Sequence, residues 1–292
     1  MRFGLTILPE HRWKDAAPMW RRAEELGFDH AWTYDHLVWG GLPDSPWYGT
    51  TPTLTAAAMV TSRIRLGTFV TSPNYRHPVT FMRDLLALDD ISGGRLICGI
   101  GAGGDIDSEI LGGDPLTPRE RVDRLYEFTG LLDRLLTQDH VSHRGTYFSA
   151  VDARTLPGPV QRPRIPFVIA ANGPRTLRLA VELGSGWLTT GPTVETMDEW
   201  WAALNGLCGR LDEGLAKAGR DSATFERHLN LDSSPQYALS SVGMFEEMAG
   251  RAGELGFSDV ITHWPRPDGP YAGDVRVLEQ VAAQVLPRLQ ET

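Results

Sequence analysis

Only two cysteines, Cys98 and Cys208, occur in the 292 residues. One falls in an apolar run and the other in a helical pattern, so a disulfide framework is not expected and a cytoplasmic location is. No stretch of 18 apolar residues is present, so no membrane-spanning helix is expected. The first apolar run begins at once, without the basic region and apolar core of a signal peptide. Basic residues are also short: 28 Lys and Arg face 37 Asp and Glu, for a formal net charge of −9. With no local Lys/Arg cluster either, neither nucleic acid nor a membrane surface is an expected partner. No linker tract, charge block or fixed-period motif divides the chain, so 1–292 is expected to be one domain.

What is present is an alternation. Eight short apolar runs each give way to a turn and then to a segment with helical spacing. The runs are Arg2–Leu8, His30–His36, Ile64–Ser72, Leu96–Gly101, Pro166–Ala171, Gly186–Gly191, Arg227–Asp232 and Asp259–Pro265. That count in this length predicts an α/β fold, a (β/α)8 TIM barrel of parallel strands. Helices are expected over Asp15–Leu26, Thr53–Thr61, Pro78–Ile91, Arg119–Leu136, Arg175–Leu183, Glu195–Ala218, Val242–Leu255 and Val275–Leu289. Asp15 is the expected N-cap of the first and Gly27 its left-handed stop. The stretch 137–163 is too long for a routine connection and is read as an insertion after the fourth helix.

Barrels of this kind place their chemistry at the C-terminal ends of the strands. Asp35 and His36 end the second run. An imidazole there can move a proton or hydrogen-bond a cofactor. Adjacent strand residues point to opposite faces, so only one of the two can face the lumen fully. The loop that follows carries Trp39, Trp47 and Tyr48, either a substrate wall or packing on the barrel top. Gly99, Gly101, Gly103 and Gly104 end the fourth run, where backbone can approach a flat ring or a phosphate closely, or simply turn. The spacing fits neither a dinucleotide fingerprint nor a P-loop. Asn172-Gly173-Pro174-Arg175 opens a helix, where free N–H groups, the dipole and Arg175 suit an anion, and Asn172 is the expected cap. His140 and His143 have no third ligand nearby, so no metal is expected.

Taken together these stretches resemble the bacterial luciferase-like family of flavin- and deazaflavin-dependent oxidoreductases. The carriers are Arg2–Leu5, Ala23–Asp29, Thr33–His36, Arg65–Pro78, Leu88–Arg95, Gly99–Gly104 and Pro166–Pro174 before Gly186-Trp187. The resemblance covers nearly the whole chain and rests on the order and spacing of these pieces. It implies coenzyme F420 or FMN at the strand mouths, with F420 favoured by the Asp35-His36 pair and the stretch through His77-Pro78. It also implies a catalytic His36 near the reactive ring and a bulge over Phe69–Ser72, often with a non-prolyl cis peptide. Val70, Thr71 and Ser72 would then back the ring. Asp35, His36, Gly103, Gly104, Ala171, Asn172, Gly173, Pro174 and Arg175 would hold the rest of the cofactor, while Trp39, Trp47 and Tyr48 would meet the substrate.

The expected activity is hydride transfer or monooxygenation of a small organic substrate, by a homodimer. The chain departs from the sugar-phosphate dehydrogenase branch, which has a glutamate where Gly104 stands. Two other readings stay open. One is a cofactor-free hydrolase or lyase using Asp35, His36 and His263 as acid–base groups. The other is a flavin-binding relative without catalysis.

Overall fold

The computed structural model describes residues 1–290. In chain order the elements are β1 (Arg2–Thr6), α1 (Trp13–Glu25), β2 (His30–Thr33), α2 (Thr50–Val60), β3 (Arg65–Thr68), α3 (Pro78–Ser92), β4 (Leu96–Ile100), α4 (Ile106–Ile110) and α5 (Pro118–Thr137). After a hairpin of β5 (Val141–Arg144) and β6 (Ser149–Ala153) come β7 (Phe167–Ala170), α6 (Pro174–Leu183), β8 (Gly186–Thr189), α7 (Met197–Lys217), β9 (Glu226–Asn230), α8 (Val242–Glu254), β10 (Asp259–His263), α9 (Val275–Gln284) and α10 (Leu286–Gln290).

Among the described residues, eight strands close into a barrel in the order β1-β10-β9-β8-β7-β4-β3-β2. Every neighbouring pair that is registered is parallel. Seven of the eight strands lie within the runs read from the sequence, and β9 begins one residue before its run, at Glu226. The antiparallel β5–β6 hairpin lies outside the barrel, within the expected insertion. No helix among the described residues is long and apolar enough to cross a membrane.

Parallel strands are covered on both faces, which is why the runs read as nearly continuous apolar sequence. The period of two still sorts them. Phe3, Leu5, Ile7, Leu66, Cys98, Phe167 and Ile169 belong to the large cluster under the helices. Trp32, Tyr34, Phe69, Ile97, Val168, Leu188 and Ile261 form a separate cluster that fills the lumen. On β2 and its extension this places His30, Trp32, Tyr34 and His36 on one side, and Asp35 on the other.

Helix ends shift from expectation by a residue or more in several places, and three of the shifts have clear local causes. α1 starts at Trp13, with Arg12 rather than Asp15 at its N-cap. Asp15 sits instead in the first turn, where the dipole favours a carboxylate. α2 begins at Thr50, because Gly49 caps it and Pro52 is accommodated in the first turn. The closing helix is broken at Val285, since Pro287 has no N–H to continue the ladder. Gly27 is the left-handed stop of α1, at φ 86°.

Glu24 of α1 ties that helix to the start of β3. Its carboxylate accepts the backbone N–H groups of Ser62 at 2.9 Å, Arg63 at 2.6 Å and Ile64 at 2.9 Å. Burial works to raise its pKa, but these donors and the Ser62 hydroxyl hold it down at about 2. A carboxylate depressed on folding stabilises the fold above its unfolded pKa, and that stability is lost as pH falls through the folded value. Glu24→Gln should therefore cost about 1–2 kcal/mol at pH 7, allowing for partial exposure. In urea melts the gap should be full above pH 4.5 and close as pH falls to about 2. A gap independent of pH would show that the charge of Glu24 plays no part.

Candidate active site

Strand period brings His36 to the barrel mouth, and a carboxylate far away in sequence holds it there. His36 Nδ1 lies 2.7 Å from Asp107 Oδ2, and the Leu37 N–H donates to Asp107 Oδ1 at 2.7 Å. The Asp107 side chain is fully buried and His36 is 20% exposed. An ionised carboxylate only accepts, so neutral His36 carries its proton on Nδ1 and presents Nε2 as an acceptor. Asp107 stands on the short α4, just beyond the glycine loop that ends β4.

Asp35 faces the other way. Its carboxylate is closed in an ion pair with Arg76, at 2.8 Å from Nε and 2.6 Å from Nη2, and also accepts the Tyr75 hydroxyl. Burial would raise its pKa, but Arg76 and Tyr75 hold it below the usual carboxylate range. The expectation that Asp35 contacts a cofactor is corrected on this point: both oxygens are engaged away from the mouth. The same fact removes Asp35 from the hydrolase reading.

The end of β3 behaves as the resemblance implied. A non-prolyl cis peptide joins Phe69 and Val70. Beyond it Thr71 resumes pairing with β4, its N–H on the Gly99 carbonyl and its carbonyl on the Gly101 N–H, each at 2.8 Å. Thr71 and Ser72 are buried. This explains two of the β4 glycines. A Cβ at Gly99 would overlap the Thr68 carbonyl, and one at Gly101 would lie 2.7 Å from Val70 Cγ2. These two make room for protein rather than for a ligand.

Gly103, Asn172, Gly173, Pro174 and Arg175 do come together, around a cavity of about 1060 Å³ that is also lined by Arg119, Arg121 and the start of α5. The N-terminus of α6 opens on it. Gly104 is adjacent, and its carbonyl accepts the Asn74 side-chain amide. Ala171 instead packs into the core under the helices, and its carbonyl accepts Trp187 Nε1–H at 2.7 Å. Asn172 does not cap α6: Gly173 is the cap residue. The Asn172 amide donates to Thr190 Oγ1 and the Gly191 carbonyl and accepts from Thr189, clamping the ends of β7 and β8. Arg175 is paired with Asp123 at 2.5 Å and Arg121 with Asp105 at 2.7 Å. Arg119 and Arg121 were not singled out in the sequence, because nothing in their spacing on α5 points to a loop beyond β7.

Of the loop aromatics, Trp39 and Trp47 pack against the lumen cluster. Trp39 meets the Tyr34 ring edge-on at 5.2 Å, and Trp47 Nε1–H donates to the His36 carbonyl at 2.9 Å. Tyr48 does not join them. It lies exposed in an outer groove with Trp13 and Trp20 of α1.

One further polar cluster lies at the opposite end of the barrel. His30, His228 and Asp259 place ligand atoms within 4.8 Å of one another. Trp32 Nε1–H donates to His30 Nδ1 at 2.5 Å, so the His30 proton is on Nε2, toward Asp259. Burial lowers the His30 pKa, while Arg2 takes both Asp259 oxygens. His30 and Asp259 are thus engaged within an ion-pair network, His228 Nε2 faces Glu226 at 3.2 Å, and the buried His228 Nδ1 has no partner. His140 and His143 likewise pair with Asp152 and Glu127.

Three comparisons bear on this site. The luciferase-like monooxygenase family model matches residues 1–263. An F420-dependent glucose-6-phosphate dehydrogenase of Microbacterium testaceum is 34% identical over 206 residues, 68% of this chain; that match spans 57% of the relative's length. A 5,10-methylenetetrahydromethanopterin reductase of Archaeoglobus fulgidus is 29% identical, with 91% of this chain and 71% of the relative covered. The solved coenzyme F420-dependent tetrahydromethanopterin reductase of Methanopyrus kandleri superposes with a TM-score of 0.79 at 20% identity, covering 98% of this chain and 99% of that one.

Asp107→Ala would leave His36 Nδ1 and the Leu37 N–H without their buried acceptor. It should cost about 1–3 kcal/mol of stability. Amide exchange across residues 37–49 should speed up while the barrel strands stay protected. Unchanged protection in that loop would mean that Asp107 does not hold it.

Proposed function

This chain belongs to the luciferase-like monooxygenase family, and from that membership we propose that it is an F420-dependent oxidoreductase acting on a small organic substrate. The observation that carries the reading is the coincidence of two sites at one barrel mouth. A carboxylate-backed His36 stands over β2, and an arginine-lined cavity at a helix N-terminus lies beyond β4 and β7. A flavin or deazaflavin needs both an exchange point for protons at its ring and a place for its phosphate.

The residues present fit such a group. Gly103, Gly173, Arg119, Arg121 and Arg175 would hold the phosphate end, and the β3 segment Val70–Ser72 would back the ring. Bound there, the cofactor supplies a two-electron hydride acceptor or donor. The chain's own part is to orient it, exclude water and manage protons. His36, with Nε2 free of Asp107, is assigned the ring edge. FMN is the second cofactor on the same grounds; the relatives named for F420 favour the deazaflavin.

Relatives named for glucose 6-phosphate do not bring that substrate with them. The mouth here is walled by Trp39, Trp47, Tyr34, Phe69 and Leu42, and the arginines gather on the other cavity. A small substrate with an apolar body suits that wall better than a sugar phosphate. The reading also includes a homodimer in the cytoplasm. Exposed Val151, Leu156 and Val160 on the insertion favour a second copy, and two buried free thiols favour a reducing compartment.

Equilibrium titration with F420 and with FMN, read by quenching of the nine tryptophans, should show the tighter complex with F420. Arg121→Ala and Arg175→Ala should each weaken it about tenfold, less at high salt. His36→Ala should leave binding largely intact and cut turnover about 10²-fold. Binding of neither cofactor would overturn the proposal.

A further inference from the structure

A second carboxylate-backed histidine stands at the mouth, and a chain of hydroxyls leads from it. His263, the last residue of β10, is fully buried, with Nδ1 2.8 Å from Asp232 Oδ2 and Nε2 2.9 Å from the Tyr34 hydroxyl. The Tyr34 hydroxyl is in turn 2.9 Å from that of Tyr271.

The direction of each bond follows from one end. The buried Asp232 carboxylate also accepts the His263 N–H at 2.6 Å, the Thr262 hydroxyl at 3.0 Å and the Ala238 N–H at 3.0 Å, so it is an ionised acceptor. His263 therefore carries its proton on Nδ1, and Nε2 accepts from Tyr34. Tyr34, having donated its one proton, accepts from Tyr271. The Tyr271 oxygen, having donated inward, has its remaining lone pairs for a donor from outside. Burial keeps both phenols un-ionised, with Tyr34 well above its ordinary value and Tyr271 at about 12.

Tyr271 is held for this position. Its φ is 62°, in the left-handed region that a bulky side chain seldom adopts. Such a conformation persists only where its surroundings over-determine it, and it clusters at functional sites. Here the Tyr271 ring stacks on the His263 imidazole at 3.7 Å and on Trp39 at 6.0 Å. Arg266, paired with Glu10, folds the loop by donating to the Asp268 and Pro270 carbonyls, and its N–H donates to the Tyr271 carbonyl.

We propose that Tyr271, Tyr34, His263 and Asp232 form a proton relay for a substrate hydroxyl or carbonyl oxygen, with Tyr271 as the residue that touches the substrate. The proposal rests on the hydride-transfer reading above and names its substrate class, a carbinol or the matching carbonyl compound. In the oxidative direction the carbinol C–H bond breaks, and its hydrogen leaves with the electron pair to the deazaflavin. The substrate O–H bond breaks as C=O forms, and that proton passes to the Tyr271 oxygen. The Tyr271 proton moves to Tyr34, and the Tyr34 proton to His263 Nε2, leaving an imidazolium beside Asp232. Reduction of a carbonyl runs the same transfers backwards. The relay takes the substrate oxygen and leaves His36, whose ring lies 6.2 Å from Tyr34, to the cofactor edge.

Tyr271→Phe keeps the stacked ring and removes only the hydroxyl. With F420 and a set of 2-propanol, cyclohexanol and benzyl alcohol, or reduced F420 and the matching carbonyls, its kcat should fall about 10²-fold or more. F420 affinity and KM should stay within threefold of the parent. Independently of any cofactor, nitrogen NMR should find the His263 proton on Nδ1, and Asp232→Asn should abolish that preference. A Tyr271→Phe kcat within threefold of the parent, or a His263 proton on Nε2, overturns the relay. A parent that binds F420 but reacts with none of these compounds overturns the relay alone. A parent that binds neither F420 nor FMN overturns the oxidoreductase reading and the relay with it.

Discussion

Two carboxylates that can only accept hydrogen bonds set the polarity of the barrel mouth. Asp107 and Asp232 are both buried and both face the Nδ1 of a histidine. Each fixes its imidazole in the same tautomer and turns the other nitrogen into an acceptor. A buried carboxylate is tolerated only with its donors in place, and here backbone N–H groups supply them: Leu37 for Asp107, His263 and Ala238 for Asp232. The chemistry of the mouth is therefore tied to the backbone path of the loops, not to side-chain choice alone.

The lumen keeps this polarity separate from the ion pairs at the far end. Trp32, Phe69, Ile97, Val168, Leu188 and Ile261 form an apolar layer between them. Below it, His228, His30 and Arg2 hold the Asp259 carboxylate well below its usual range despite burial, and Asp259 holds Arg2 across the β1–β10 pairing. The same strands thus carry an ion-pair network at their N-terminal ends and carboxylate-backed histidines at or just beyond their C-terminal ends, where barrels of this kind place their chemistry. Trp32 serves both sides, since its indole N–H fixes the His30 tautomer below and its ring packs in the layer above.

The barrel was legible because its evidence is local. Each run, turn and helix face falls within a dozen residues, and the strand period even separates His36 from Asp35. The partners were not legible for the opposite reason. Asp107 is 71 residues from His36, and Tyr34 is 237 residues from Tyr271; no spacing within one segment announces such a contact. The glycines at the end of β4 misled for a related reason, since Gly99 answers to the Thr68 carbonyl and Gly101 to the bulk of Val70, just beyond the neighbouring strand. Tyr48 and Asn172 were read from position alone. The first was turned outward by the pairing of its N–H with the Pro9 carbonyl at 2.7 Å, and the second was claimed by Thr189 and Thr190 before it could cap a helix.

The loops above the barrel are not independent of one another. Trp39, from the loop after β2, stacks on Tyr271, from the loop after β10, and Tyr271 stacks on His263 beneath. Trp47 is fastened to the His36 carbonyl, and Arg266 is fastened to Glu10 beyond β1. Moving the Trp39 loop would uncover one face of Tyr271, and with it the outer end of the hydroxyl chain to His263. The position of the Trp39 loop and the cover over Tyr271 are therefore coupled.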